Sequence, residues 1–345
     1  MAARYLTRGL LENSSVLAEL LEGKERFYLF AGTFDVSEQL DLRHLASLQF
    51  VKDVQTATAA PVVIILSCTD SKLGITPAKR KACFDAQARS VLACGLDKSR
   101  TLILTPRSIS SRIYRSVVDV SKYMLINEAV RGAKTDLAAL QQELVEAVFC
   151  RLPQTLLGET FTKCLRIGQD RFPKAAFERA NLPEPAVVQL KPLPMLQGEL
   201  GNAQTFNSNC QLLFLSDDPP MIEMKIRKHA FSGGGSTKEE HEKHGANLEV
   251  DVSYKYLSYF LESDSEWANI KGDYGGGKMY TGAVKERLVC LVKEMLASHK
   301  MASMSISDKD LPYLSLTNRP LMRHVILKPS SNMIERERIC EEECS

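Results

Sequence analysis

No run of about 18 consecutive apolar residues occurs in the chain, which excludes a membrane-spanning helix. The opening MAARYLTRGLLENSS has no signal-peptide core and soon meets charge, so secretion is not expected. Its arginines and leucines are set aside as a transit signal. None of the cysteines (Cys68, Cys83, Cys94, Cys150, Cys164, Cys210, Cys290, Cys340 and Cys344) stands in a CxxC pair, which argues against a zinc site. An odd, scattered set suits the reduced thiols of a cytoplasmic protein. Net charge is only +2, so there is no bulk signature of nucleic-acid binding, although a local basic surface stays open. No internal repeat is present.

What remains is a chain of 345 residues, long enough for two domains, with the 44% hydrophobic and 25% charged content of a soluble globular protein. A helix is expected over 5–21, ending at Gly23. FYLFAG at 27–32 is a short apolar run bounded by charge and glycine, hence a buried strand. Apolar residues at helical spacing over 37–55 predict a helix. PVVIILS at 61–67 is an unbroken β-branched run, read as a central parallel strand. A helix over 77–95 and a strand at 101–106 continue an alternation that signals a right-handed parallel α/β sheet.

Residues 108–150 read as mostly helical, broken near Gly132, an insertion between two halves of the sheet. Strands are expected at 163–167, 186–190 and 212–215, with a helix over 172–180. From Pro219 onward the pattern is helical only, over about 219–229, 236–244, 250–262, 266–271 and 278–300. The expected division is an N-terminal helical extension (1–26), an α/β domain (27–215) with a helical insertion at about 108–160, a helical domain (216–330) and a charged tail (331–345).

Residues 228–261, KHAFSGGGSTKEEHEKHGANLEVDVSYKYLSYFL, are the most distinctive run. Taken alone they are an ordinary helical hairpin. A flexible turn at 232–235 precedes a helix capped by Ser236 or Thr237, with Glu239 or Glu240 as reciprocal partner. Gly245 stops that helix, and Val252, Tyr256, Tyr259 and Phe260 then form one apolar helical face. The stretch resembles, almost residue for residue, the segment that follows the catalytic domain in eukaryotic tryptophanyl-tRNA synthetases. The resemblance covers about 25–300. It implies a class I synthetase Rossmann-type parallel sheet followed by an all-α anticodon-binding-type domain. It also implies a homodimer formed through the insertion, with tryptophan, tRNA, and ATP with Mg as ligands.

A doubly wound sheet binds its ligand at the carboxyl ends of its strands, so three loops carry the test. The first, AGTFDVSEQLDLRHL at 31–45, aligns without a gap to the family's TGRGPSSExMHVGHL. A helix N-terminus attracts phosphate, and imidazoles there stabilise developing charge. The family's His-x-Gly-His positions are Asp41, Leu42, Arg43 and His44, so only His44 is kept. Asp41 puts negative charge where an anion is expected, and Arg43 a long side chain where adenine should pack. The Arg-Gly-Pro ahead of them has become Thr33-Phe34-Asp35. His44 reads equally well as a lone helix histidine.

In the second loop, IILSCTDSKLG, the family's tryptophan-binding glutamine and glutamate match Ile65 and Asp70. Ile65 cannot make the polar contact, and Asp70 keeps the charge with a shorter reach. Phe30 stands where the family has an indole-facing tyrosine. The third loop, IGQDRF, keeps Gln169 and Asp170 of the family's IDQDPYF, a pair that would serve equally as a polar helix cap. Gly32, and Gln197 of MLQG (195–198), complete the substrate-binding set that the resemblance implies.

The second class I signature, Lys-Met-Ser-x-Ser, belongs after that MLQG. The chain has ELGNAQTFNSNCQLLFLSDD instead, with no lysine between Lys191 and Lys225, whereas FLSD at 214–217 still matches the family's FLTD. KMAS at 300–303 lies far too late to replace it. GDYGGGK at 272–278 has P-loop spacing, but Met279 follows where magnesium needs Ser or Thr, so a structural turn is expected. His229, His241 and His244 form no HExxH, and a solvated Glu-rich face without metal is expected there. Two functions fit: a paralogue that keeps the scaffold for binding but has lost adenylation, or an active tryptophan–tRNA ligase. The joint loss of both signatures favours the first, because positioning and electrostatics carry such chemistry.

Overall fold

A computed structural model describes residues 3–23, 26–36, 38–68, 76–125, 137–169, 172–198 and 208–311. Two short helices, α1 (Ala3–Thr7) and α2 (Ser14–Glu22), precede the sheet. They replace the single helix expected over 5–21. The chain between them lies along a sheet edge, where Leu11 bridges Leu190 and the Glu12 N–H donates to the Gln189 carbonyl at 2.9 Å.

The strands are β1 (Phe27–Asp35), β2 (Val62–Ser67), β3 (Thr101–Leu104), β4 (Gln154–Leu156), β5 (Glu159–Phe161), β6 (Lys163–Ile167) and β7 (Ala186–Val188). Five of them form one sheet in the order β3-β2-β1-β6-β7, every pair parallel. Strands β4 and β5 make a separate antiparallel hairpin, which closes what the sequence suggests is a mostly helical insertion. Three-residue strands carry too little period-2 pattern to stand out from loop sequence.

Helices α3 (Leu42–Thr58), α4 (Pro77–Leu92), α5 (Pro106–Ser121), α6 (Leu137–Phe149) and α7 (Lys174–Arg179) cover the sheet. The pleat sends Leu29, Val62 and Ile64 to one face and Tyr28, Phe30, Val63 and Ile65 to the other. The first face shares a core with α3, α4 and the carboxyl-terminal helices. The second packs on α5 through Ile109 and Ile113, on α6 through Val145 and Val148, and on α7 through Phe177. Burial on both faces is what the unbroken apolar β2 run requires.

Beyond the sheet come α8 (Ser208–Gln211), α9 (Pro219–His229), α10 (Lys238–His244), α11 (Val252–Phe260), α12 (Asp264–Gly275) and α13 (Thr281–Ser305). The strand expected at 212–215 is not part of the sheet. Phe214 makes a lone bridge to Asp41, flanked by Leu42 N–H to Leu213 carbonyl and Leu215 N–H to Leu40 carbonyl, each 2.9 Å. This segment therefore clamps the entry to α3, and the helix predicted from residue 37 starts only at Leu42.

The distinctive 228–261 stretch is more tightly built than a hairpin with one apolar face. Helix α11 is buried nearly all round, with Val252, Tyr256, Leu257 and Phe260 in the core. Its N-cap, Asp251, accepts from Tyr254 N–H at 2.8 Å, Gly233 N–H at 2.9 Å and the Tyr274 hydroxyl at 2.6 Å. The glycine turn is packed, not slack: a Cβ on Gly233 would lie 2.0 Å from the Asn247 carbonyl oxygen. Thr237 caps α10 by accepting from Glu240 N–H, whereas Glu240 reaches back one residue further, to Ser236 N–H at 2.9 Å.

His241 is buried on α10, which corrects the solvated-face expectation. Its Nδ1 accepts from Gly235 N–H and its Nε2–H donates to the Met279 carbonyl at 2.8 Å, with the rings of Tyr274 and Tyr280 beside it. A neutral imidazole with both nitrogens engaged is a core element, and no cluster of metal-ligating side chains occurs among the described residues. GDYGGGK runs through the carboxyl end of α12 and its exit.

Candidate functional site

Where the strand order reverses between β1 and β6, the sheet opens into a cavity of about 610 Å³ at the strands' carboxyl ends. A register irregularity shapes its floor. Phe30 pairs with Val63 but Thr33 with Ile65, so β1 carries one extra residue between them. Gly32 sits in this bulge at φ +101, a conformation that L side chains rarely adopt. The bulge re-aims the end of β1, and Thr33 Oγ1 then donates to Glu146 Oε1 at 2.6 Å.

Four of the residues singled out from the sequence line this cavity: Phe30, Gly32, His44 and Gln169. Ile65 is sealed in the core on the same face of the sheet as Phe30 and does not reach the cavity. Gln197 lies elsewhere, accepting from Gln211 Nε2 at 3.3 Å. Asp70, Asp170 and the 199–207 part of the replaced signature loop lie outside the described residues.

Asp41 and Arg43 do not line the cavity. They close the N-terminus of α3 beside it. Asp41 is 2% exposed, and its Oδ1 accepts from Arg43 N–H at 2.8 Å and His44 N–H at 3.4 Å. Its Oδ2 takes Arg43 Nε at 3.0 Å and the same guanidinium's Nη2. The Asp41 N–H in turn donates to His44 Nδ1 at 3.2 Å, completing a capping box. Burial alone would raise the Asp41 carboxyl. Hydrogen bonds from His44 and Arg43 outweigh it and hold the group well below the usual carboxylate range. The end of α3 therefore carries its own anion, already neutralised by its own cation.

The clamp that places Asp41 is itself anchored. Lys225, 3% exposed, donates to both Asp217 carboxylate oxygens (2.9 and 2.7 Å) and to the Leu212 carbonyl at 2.9 Å. Lys225 ends the long lysine-free stretch, and it is spent on scaffold.

The residue the sequence reading missed is Glu146, on the buried face of α6. It is 6% exposed, lines the cavity, and takes hydrogen bonds from Thr33 and Gln142 on the same oxygen, Oε1. Burial pushes its carboxyl above the ordinary value, against the lowering effects of the Thr33 hydroxyl and of Arg166. The available signal was a lone acid inside the apolar run LVEAVF. Phe34 and Phe172 add aromatic walls, and the Arg166 guanidinium lies 5.7 Å from the Phe30 ring centroid.

No family model matches the chain. Among curated proteins, it is 34% identical over 326 residues to a cytoplasmic tryptophan–tRNA ligase of Arabidopsis thaliana, spanning 88% of this chain and 80% of that one. A cytoplasmic tryptophan–tRNA ligase of Mus musculus is 31% identical, over 93% of this chain and 71% of the other. Among solved structures, the tryptophanyl-tRNA synthetase of Plasmodium falciparum superposes with a TM-score of 0.77 at 26% identity, covering 92% of this chain and 90% of that one.

Proposed function

The chain belongs to the tryptophan–tRNA ligase family, and we propose that within it this protein keeps the scaffold for binding and has lost tryptophan activation. The observation that carries the reading is the Asp41 cap. A triphosphate needs the free amides and positive field of a helix N-terminus. At α3 those amides already bind a buried carboxylate, 2.8 Å from the Arg43 N–H. Arg43, the one cation at that end of α3 among the described residues, is folded back onto the same carboxylate. ATP with magnesium, which the sequence resemblance implies, does not fit this arrangement.

The replacement of the second signature supports the same reading, because no lysine is available between Lys191 and Lys225 to reach the phosphates. Retention of His44 and Gln169 around the cavity, with Phe30 keeping an aromatic wall in place of the family's tyrosine, supports a surviving small-molecule site. The partners proposed are tRNA, on the helical domain, and a second copy of the chain, on the insertion. Tyr114 of α5 and Leu125 just beyond it are 64% and 66% exposed, an apolar surface suited to such contact. The names of the relatives support a cytoplasmic setting, and among the described residues no helix is long and apolar enough to cross a membrane.

The deciding assay is tryptophan-dependent ATP–pyrophosphate exchange with the purified full-length protein. No exchange above the enzyme-free blank is expected. Exchange at ordinary synthetase levels would instead establish the active-ligase reading. Filter binding of tRNA, with and without the chain, reports separately on the retained macromolecular partner.

A further inference from the structure

The charge around the cavity is lopsided. Among its described lining residues, Asp35, Glu38, Glu143 and Glu146 are acids and Arg166 is the cation, four negative groups against one positive. The walls beside them are aromatic: Phe30, Phe34 and Phe172. The deepest acid, Glu146, is held in place by Thr33 at 2.6 Å and Gln142 at 3.3 Å, both on Oε1, so the carboxylate is fixed by its own shell before any ligand arrives. A low-dielectric cavity with a fixed carboxylate and ring-sized apolar walls favours a cation attached to a flat apolar body. A free carboxylate on the ligand would enter a lining in which, among the described residues, four acids face a single arginine.

We propose that this cavity binds an aromatic amine, a monocation without a carboxylate, with its ammonium on Glu146 and its ring among Phe30, Phe34 and Phe172. The proposal rests on the reading that no adenylate is formed, because an amine without a carboxyl group offers nothing to activate. It is a statement about ligand class. The indole series is the convenient probe, since its members differ only in the charge at one end.

The experiment is isothermal titration of the full-length protein at neutral pH with tryptamine (cation), L-tryptophan (zwitterion) and indole-3-propionate (anion). The expected order is the cation tightest, by about tenfold or more over the zwitterion, whose carboxylate meets the surplus of acids, with the anion weakest because it has no ammonium for Glu146. Glu146→Gln should weaken tryptamine by about tenfold and narrow the gap between the three ligands. A zwitterion or anion bound as tightly as the amine, or no saturable binding of the amine, overturns the proposal. The wild-type ligand ranking is decisive even if the variant fails to fold. Exchange activity together with amine preference would overturn the loss of activation and still support the cation site. Absence of exchange with the zwitterion bound as tightly as the amine would do the reverse.

Discussion

Asp41→Asn isolates the electrostatic role of the α3 cap. Asparagine keeps one side-chain oxygen to accept from the Arg43 and His44 amides, and it is as good an N-cap as aspartate, so the capping function survives. What goes is the charge, and with it the hydrogen bonds from Arg43 Nε and Nη2 to Oδ2. An amide NH2 would face the guanidinium in place of an oxygen. Charge-assisted hydrogen bonds contribute about 1.5–3 kcal/mol when buried. Asp41 is almost fully buried but the Arg43 side chain is 36% exposed and can turn to water, so the lower end applies, about 1.5 kcal/mol. For a chain of 345 residues that is about 2 °C in melting temperature.

The pH dependence supplies a sharper test. The folded-state pKa of Asp41 is depressed, so its stabilisation is present above the ordinary carboxyl range and lost as pH falls through the folded value. The difference between wild type and Asp41→Asn in urea melts should therefore be full at neutral pH and shrink on acidification. An unchanged melt at neutral pH, or a deficit that grows as pH falls, would refute the assignment of a neutralised anion at this helix end.

Glu146→Gln should raise the melting temperature at neutral pH, because burial raises the native carboxyl and ionising it there costs stability. The gain should fade as pH drops toward the ordinary glutamate value, and differential scanning fluorimetry across pH reads it directly. Gly32→Ala forces φ +101 on a residue with a Cβ; nothing lies within 4 Å of that Cβ, so the cost is backbone strain alone, about 1–2 kcal/mol in chemical denaturation. Arg8→Ala removes a buried guanidinium that donates to the Ser258 and Leu261 carbonyls at 2.9 and 2.8 Å, at the buried carboxyl end of α11. A loss of about 2–3 kcal/mol is expected in the same denaturation experiment.

Sequence patterning made the parallel sheet legible because its strands are buried on both faces, and β2 in particular has no polar residue before Ser67. Of the five helices from Pro219 onward, four start at a side-chain cap, Asp218, Thr237, Asp251 or Ser263, whereas α13 begins after Tyr280 with none and was legible from its apolar spacing. Local pattern failed where the partner was remote. Residues 212–215 look like a strand and are extended, but they pair with the turn into α3 and not with the sheet. His241 looks solvated among glutamates and lysines, yet residues 235 and 279 supply its hydrogen bonds from outside its own helix. For the site, the loss of the signature at Asp41 and Arg43 was visible as residue types. That the two neutralise each other across one helix end is a matter of geometry, as is the convergence of Glu146 with a bulge more than a hundred residues away.

The central claim is that the N-terminus of α3 no longer accepts a polyphosphate. Calorimetric titration of the full-length protein with Mg–ATP, in the presence of saturating tryptophan, tests it most directly. No saturable binding is predicted up to about 1 mM ATP, an affinity weaker than about −4 kcal/mol. Saturable binding at micromolar concentration would contradict the account, because the buried Asp41 carboxylate would then share its helix end with a triphosphate.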